Sequence, residues 1–373
     1  MPASERTTTS RERVPFWDNA RFVCITLVVS GHAIQRLTAE SDNALVVYLF
    51  IYAFHMPAFA MISGYFSKPG APSAKQMRKV ITDIVLPYVI LETIWTLVQF
   101  LVEGSVALNP TEPSWTLWFL LALGIFRLIL PYLALMKWPL LWAVVVSVGV
   151  GYLSNVDSTF SLSRAIGVLP FFVLGWKLKE WGLIDRWRFV EAPAALVRVG
   201  AVAVLLVWAA VLVTFIDLWR ATDLRFWFFY DDSYQGLGED QWWAGLVRLL
   251  LIALAVLLSA CVFALVPRRE NWMTAFGQAT MYVYLLHSFV LYPIRESGVI
   301  GGDNSSFTWL IGLLLASVAI TVALASPLVR RITRPIIEPK PRWLFLERQE
   351  EQEATRAQRA GTSKTDPTGS RRG

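Results

Sequence analysis

Stretches of about 18 or more apolar residues recur along this chain. At 1.5 Å per helical residue, each can cross a hydrocarbon layer of about 30 Å. Ten can be read, at about 16–37, 44–66, 80–102, 115–136, 139–156, 162–179, 195–217, 243–266, 272–294 and 307–329. That layer offers no water to pair with backbone N–H and C=O groups, so a lipid-exposed spanning segment must be helical or part of a closed barrel. The length of these stretches selects helices. The expected fold is all-α: a polytopic membrane helix bundle of about ten transmembrane helices. Composition agrees. Charged residues make up 17% of the chain and hydrophobic residues 55%, against roughly 25% charged in a soluble domain. Mean hydropathy is +0.49. Trp17, Trp115, Trp138, Trp181, Trp219, Trp242, Trp272 and Trp309 fall at segment ends, as interfacial belts do.

The loops set an orientation. Arg11, Arg13, Lys68, Lys75, Arg78, Lys79, Lys137, Lys177, Lys179, Arg186, Arg188, Arg268, Arg269, Arg330, Arg331 and Arg334 fall on one side of a ten-span arrangement. The other side holds mostly acidic residues, with Arg220 and Arg225 as exceptions. The positive-inside rule then puts both termini in the cytoplasm, the expected location being a bacterial-type cytoplasmic membrane crossed many times. Topology accounts for the net charge of +6 without a nucleic-acid partner. The polar start MPASERTTTSRER lacks the short apolar core and cleavage site of a signal peptide. Cys24 and Cys261 sit in apolar spans and read as packing residues. Three regions are expected: a cytoplasmic segment over 1–13, one membrane domain over 14–335, and a polar, disordered cytoplasmic tail over 336–373.

Polar residues inside spans single out a site. The chain has three histidines, and all of them, His32, His55 and His287, lie at membrane depth. Such residues must face a cavity or a partner, and they mark function by default. His32 and His287 fall in nearly the same layer, with His55 somewhat offset. Arg21 and His32 are eleven residues apart, so on a regular helix they share a face within roughly 20° and stand about 16 Å apart along the axis. They can line one tunnel, with Asp18 placed to pair with Arg21. Glu92 and Arg127 fall near mid-depth on neighbouring spans, either as a structural ion pair or as a polar wall of a substrate cavity. Lys75, Arg78 and Lys79 precede a span on the cytoplasmic side. They serve topology or clamp the phosphates of a polyanionic cosubstrate. The stretches 139–154, 199–216 and 307–329 carry only apolar side chains and read as scaffold.

These motifs resemble a known family. FWDNARFVCITLVVSGHA, with Asp18, Arg21 and His32, resembles the opening of the acyltransferase type 3 family of integral membrane acyltransferases. FHMPAFAMISGYF, with His55, Ser63, Gly64 and Tyr65, resembles its second-span motif. WTLWFLLAL, with Trp115, Trp118 and Phe119, resembles its aromatic fourth-span motif. MYVYLLHSF, with Tyr284, Leu285 and His287, resembles its late tyrosine-leucine-histidine motif, and Lys75 and Arg78 its cytoplasmic basic pair. Residues 14–335 are covered, and the chain is most similar to the branch related to fucose 4-O-acetylases.

The resemblance implies transfer of an acyl group, usually acetyl, from acyl-coenzyme A to a hydroxyl of a carbohydrate, glycolipid or other envelope molecule. Acyl-coenzyme A is then a co-substrate; no permanently bound cofactor and no metal are expected. His32 is the expected base, with Arg21, His55 and His287 in the catalytic set. Arg21, Lys75, Arg78 and Lys79 are expected to hold the donor. Glu92, Arg127, Trp118 and Tyr284 are expected at the acceptor, together with Asp231 and Asp232 of the outer loop 218–241. That loop also carries Trp219, Trp227, Tyr230, Tyr234, Trp242 and Trp243. A proton-coupled transporter or flippase would also use buried histidines, but the inverted repeats that would favour it are not visible. A scaffold or sensor would have no use for three buried histidines.

Overall fold

The computed structural model describes residues 13–104, 109, 111–189 and 194–345, apart from the side chains at 188, 189, 303 and 342. The segment before Arg13, the tail beyond Phe345, and the side chains of Arg188 and Asp303 counted in the loop charges lie outside the described residues. The chain is an all-α bundle, with no strand among the described residues. In order, α1 is Pro15–Ile34, α2 Asp42–Tyr52, α3 His55–Phe66, α4 Ala74–Val80 and α5 Leu86–Glu103. Then come α6 Trp118–Leu133, α7 Pro139–Val150, α8 Leu162–Glu180, α9 Leu183–Phe189, α10 Ala194–Thr214, α11 Ile216–Ala221 and α12 Leu224–Trp227. The last are α13 Ala244–Leu265, α14 Trp272–Gly277, α15 Thr280–Glu296, α16 Phe307–Leu324 and α17 Pro327–Ile337.

All ten apolar stretches are helical, but they are not ten uniform rods. Among the described residues, seven helical segments are long and apolar enough to cross a membrane, including Pro15–Ala39, Asp42–Phe66 and Ala74–Glu103. The remaining three are shorter: α6 has 16 residues, α7 has 12 and α15 has 17. Proline and capping residues account for the differences. Pro57 has no N–H to offer the carbonyl of Ala53, and the 44–66 stretch breaks there into α2 and α3. Pro87 likewise leaves the carbonyl of Asp83 without its partner, and residues Ile81–Val85 relax into a π-helical turn between α4 and α5. Asn271 caps α14 through a reciprocal pair with Thr274, so the 272–294 stretch begins as a separate short helix. Ser326 accepts from Val329 N and starts α17 with Pro327 at its first turn. The 307–329 span therefore ends at Leu324. A second helix continues past residue 335, where Ile337 is fully buried and Glu338 accepts a 2.8 Å bond from Tyr282. The ordered fold thus includes the first ten residues of what reads in sequence as tail.

Helix α1 occupies the middle. It packs against α2, α3, α14, α15 and α16, and most of its residues are buried. The Asn19 amide fixes its N-terminal end, donating to Pro267 O and Arg269 O at 2.9 and 3.0 Å and accepting from Thr274 Oγ1 at 2.8 Å. Helices α3 and α8 pack backbone to backbone at two points. A Cβ on Gly64 would stand 1.9 Å from Phe172 O, and one on Gly175 would stand 1.9 Å from Met61 O. Small residues let backbones approach where lipid gives helices no hydrophobic reason to associate. By contrast α10 and α16 leave most of their apolar surface exposed, as scaffold against lipid does. Trp138, Trp242 and Trp272 are exposed as belt residues should be. Trp17 departs from that reading: it is buried, with its ring 4.1 Å from that of Tyr65. Cys24 and Cys261 are buried free thiols.

Candidate functional site

Three helices bring the histidines together. His32 lies near the end of α1, His55 opens α3 and His287 lies in the middle of α15. The His32 and His287 rings face each other at 5.4 Å between centroids. Tyr52, the last residue of α2, lies between the other two: its hydroxyl is 3.5 Å from His32 Nδ1 and its ring 4.6 Å from that of His55. The α2–α3 break makes this possible, because a continuous helix would carry Tyr52 and His55 on through one regular turn. Tyr48 stacks on Tyr52 at 3.9 Å.

The three imidazoles are not equivalent. His55 is buried, and its Nδ1–H donates to Ile51 O at 3.0 Å. His287 is fully buried; its Nδ1–H donates to Tyr284 O at 2.7 Å and Val283 O at 3.1 Å. With the proton held on Nδ1, His287 Nε2 is a lone pair, and it has no hydrogen-bond partner in its buried position. His32 alone among the three keeps some exposure. No carboxylate pairs with it among the described contacts, so its surroundings are aromatic and imidazole rather than those of a Ser–His–Asp arrangement.

Trp115 roofs His32, edge to face at 5.2 Å. Its backbone sits at φ +38°, a region a bulky residue occupies only when its surroundings hold it there. Two groups supply that hold. Glu92 accepts from Ser114 N at 3.0 Å and Ser114 Oγ at 2.5 Å, and the Tyr284 hydroxyl donates to Thr116 O. Arg295 lies over the far side of Trp115 at 4.8 Å. On the next wall, Arg164 lies 4.8 Å over the Trp118 ring and pairs with Asp231, which also accepts from Ser163 Oγ at 2.7 Å.

Several expected roles change. The Glu92–Arg127 pair does not form: Glu92 holds the Ser114 turn, whereas exposed Arg127 feels the charge of Asp83. The reason is that α6 packs on the Ile81–Val85 turn, which carries Asp83, rather than alongside Glu92. The Tyr284 hydroxyl is engaged by Thr116 and is not free for an acceptor. Trp115 faces the histidines and not an interface. In the outer loop, Trp227, Tyr230 and Tyr234 are buried, with Tyr234 bonded to Val148 O at 2.9 Å. Partial burial, and then the neighbouring Asp231, push the Asp232 carboxyl above the usual aspartate range.

The residues expected to hold the donor stand apart from the cluster. Arg21 bonds Asp18 at 3.0 Å and lies 4.5 Å over the Phe66 ring. That places it at the opposite end of α1 from His32, as the eleven-residue spacing requires. Lys75 and Lys79 are exposed on α4, and Arg78 lies over Phe345 at 5.2 Å. Sequence reasoning missed Arg164, Arg295 and Arg248. The last is a buried guanidinium on α13 that donates to Ser147 O and Asp232 O at 3.3 and 3.1 Å. A charged residue inside an apolar stretch was the available signal for Arg164 and Arg248.

Among known proteins, the model of a family described as an acyltransferase domain matches residues 14–326. Nodulation protein NolL of Mesorhizobium japonicum is 27% identical over 210 residues, which is 52% of this chain and 56% of that protein. The chain thus matches little more than half the length of this relative. No solved structure matches.

Proposed function

The chain belongs to the acyltransferase domain family, and from that premise we propose that the protein is a membrane O-acyltransferase of the cytoplasmic membrane. It moves an acyl group, acetyl in the simplest case, from acyl-coenzyme A to a hydroxyl of an envelope carbohydrate, glycolipid or exported small molecule. One observation carries this reading: His32, the histidine that keeps some exposure, meets the His287 ring, the Tyr52 hydroxyl and the Trp115 ring in one cluster.

A hydroxyl is a weak nucleophile at neutral pH, so a base must take its proton as it attacks. In this reading His32 takes that proton. The acceptor oxygen bonds to the thioester carbonyl carbon, the C–S bond breaks, and the leaving thiolate recovers the proton from the imidazolium. The products are an ester and free coenzyme A. The His287 ring packs beside the imidazolium that His32 becomes. Arg21, with Lys75, Arg78 and Lys79 near the membrane's cytoplasmic edge, receives the donor phosphates. The distance of about 16 Å from Arg21 to His32 along α1 suits an extended pantetheine arm.

The test uses purified protein in nanodiscs with acetyl-coenzyme A and saccharide acceptors, reading free thiol release. His32→Ala should lower turnover by about 10²–10⁴, the usual worth of a general base, while the variant elutes as the wild type does. Wild-type turnover in that variant would remove His32 from the chemistry.

A further inference from the structure

A cavity opens on the outer side of the bundle, just past the end of α1. Thr38, Leu45, Trp219, Arg220, Asp223 and Arg225 line it. Its position is tied to the histidine cluster in two ways. Thr38 follows His32 by six residues on one continuous helical stretch, Pro15–Ala39. Through space, the charge of Arg225 reaches Tyr48, Tyr48 stacks on Tyr52, and the Tyr52 hydroxyl faces His32 Nδ1.

The lining divides into a firmly bonded wall and a loosely paired one. Arg220 is committed: it donates to Thr38 O at 3.0 Å and pairs with Asp42 at 2.6 Å. Arg225 is held more loosely: it forms an ion pair with Asp223 at 3.5 Å, lies 4.5 Å over the Phe226 ring, and its buried Nε makes no hydrogen bond. Asp223 is 61% exposed in its side chain and sits at φ +47°, a conformation aspartate tolerates better than most residues. A guanidinium and a carboxylate paired this loosely, at 3.5 Å and without a hydrogen bond, can be bridged by the O–H and lone pair of neighbouring hydroxyls on a sugar ring. The Trp219 indole and Leu45 supply an apolar surface for the ring's C–H face.

We infer that this cavity is the subsite for the acceptor glycan, gripping vicinal hydroxyls of one glycosyl residue between Asp223 and Arg225 while another hydroxyl of the chain reaches His32. The inference rests on the acyl-transfer reading above and adds the acceptor's chemistry and route: a glycan entering from the outer face, over α12. It also moves the expected contact within the 218–241 loop, from Asp231, which Arg164 engages, to the Trp219–Arg225 end.

The experiment has two arms. In the first, acetyl transfer to the methyl glycosides of glucose, galactose and mannose is measured for wild type, Arg225→Ala and Asp223→Asn. The acceptor KM should rise about tenfold or more and the acetyl-coenzyme A KM should hold, because only acceptor binding is lost. The second arm needs no turnover. Ala39→Cys, at the cavity rim, is labelled by a membrane-impermeant maleimide from outside, and the same glycosides should slow the labelling. Octyl glycosides run in parallel distinguish a lipid-linked glycan from a free one by which form protects at lower concentration. Unchanged acceptor KM in both variants, or labelling of Ala39→Cys unaffected by every glycoside, overturns the subsite. If wild type releases no coenzyme A with any acceptor, the acyl-transfer reading falls instead, and the labelling arm still decides whether the cavity binds a sugar.

Discussion

Replacing Gly64 with alanine tests whether a tight backbone contact of the bundle also positions its chemistry. The new Cβ would stand 1.9 Å from Phe172 O and 2.8 Å from Phe172 C. An ordinary C···O approach is about 3.3 Å, so α3 and α8 must separate locally by roughly 1.4 Å. Side chains cannot absorb this, because both obstacles are backbone. Overpacking costs about 1–3 kcal/mol where side chains can yield, and about 3 kcal/mol is expected here. The displaced helix begins with His55, whose ring packs on Tyr52 beside His32. A misplacement of about 1 Å can cost 10² in rate, so turnover should fall along with stability. Gly175→Ala should behave alike, and the double variant should cost less than the sum, since one separation relieves both clashes. Gly200→Ala on α10 is the control: no atom lies within 4 Å of its Cβ, and it should be neutral or stabilising by up to about 1 kcal/mol. Thermal unfolding in nanodiscs and thiol release are the assays. A Gly64→Ala protein that melts and turns over as the wild type does would refute the argument.

His287→Ala should lower kcat by more than tenfold while leaving both KM values nearly unchanged, because the fully buried His287 ring packs beside His32; steady-state kinetics in both substrates checks this. Glu92→Gln should keep most activity by accepting one bond from Ser114, whereas Glu92→Ala should free the Trp115 turn, lower kcat and raise tryptophan quenching by acrylamide. Asp232→Asn should raise the melting temperature at neutral pH and leave it unchanged near pH 3. A carboxyl raised in the folded state stays protonated there while its unfolded counterpart ionises above about pH 4, so wild type loses stability as pH climbs through that window and keeps the deficit above it; melting curves across pH show the sign.

What was legible in the sequence follows from the scale of each signal. Apolar length is a property of one segment, and every stretch read as a span is helical, some of them as two helices. The histidine layer is depth counted along single helices, and it brings His32 and His287 to 5.4 Å. The break at Ala53–Phe54, the start of α14 and the end of α16 were also written locally, in Pro57, Asn271 and Ser326. They change the shape of the site because the break carries Tyr52 and His55 to one side of His32. Pairings between helices were not legible, since depth alone does not say which helix faces which. Glu92 and Arg127 share a layer yet find different partners, because the packing of α6 on the π-helical turn separates them. Trp115 could be read as a belt residue from its place at a span end. It became a wall of the site only because Glu92 and Tyr284, from two other helices, hold its turn at positive φ. The arginines at 164 and 295 show the same limit. Each is placed by an aromatic ring from another segment, Trp118 and Trp115, and through those rings two distant charges border the one histidine that remains accessible. The walls of this candidate site are therefore a property of how the bundle is assembled, and its reactive groups a property of the individual helices that carry them.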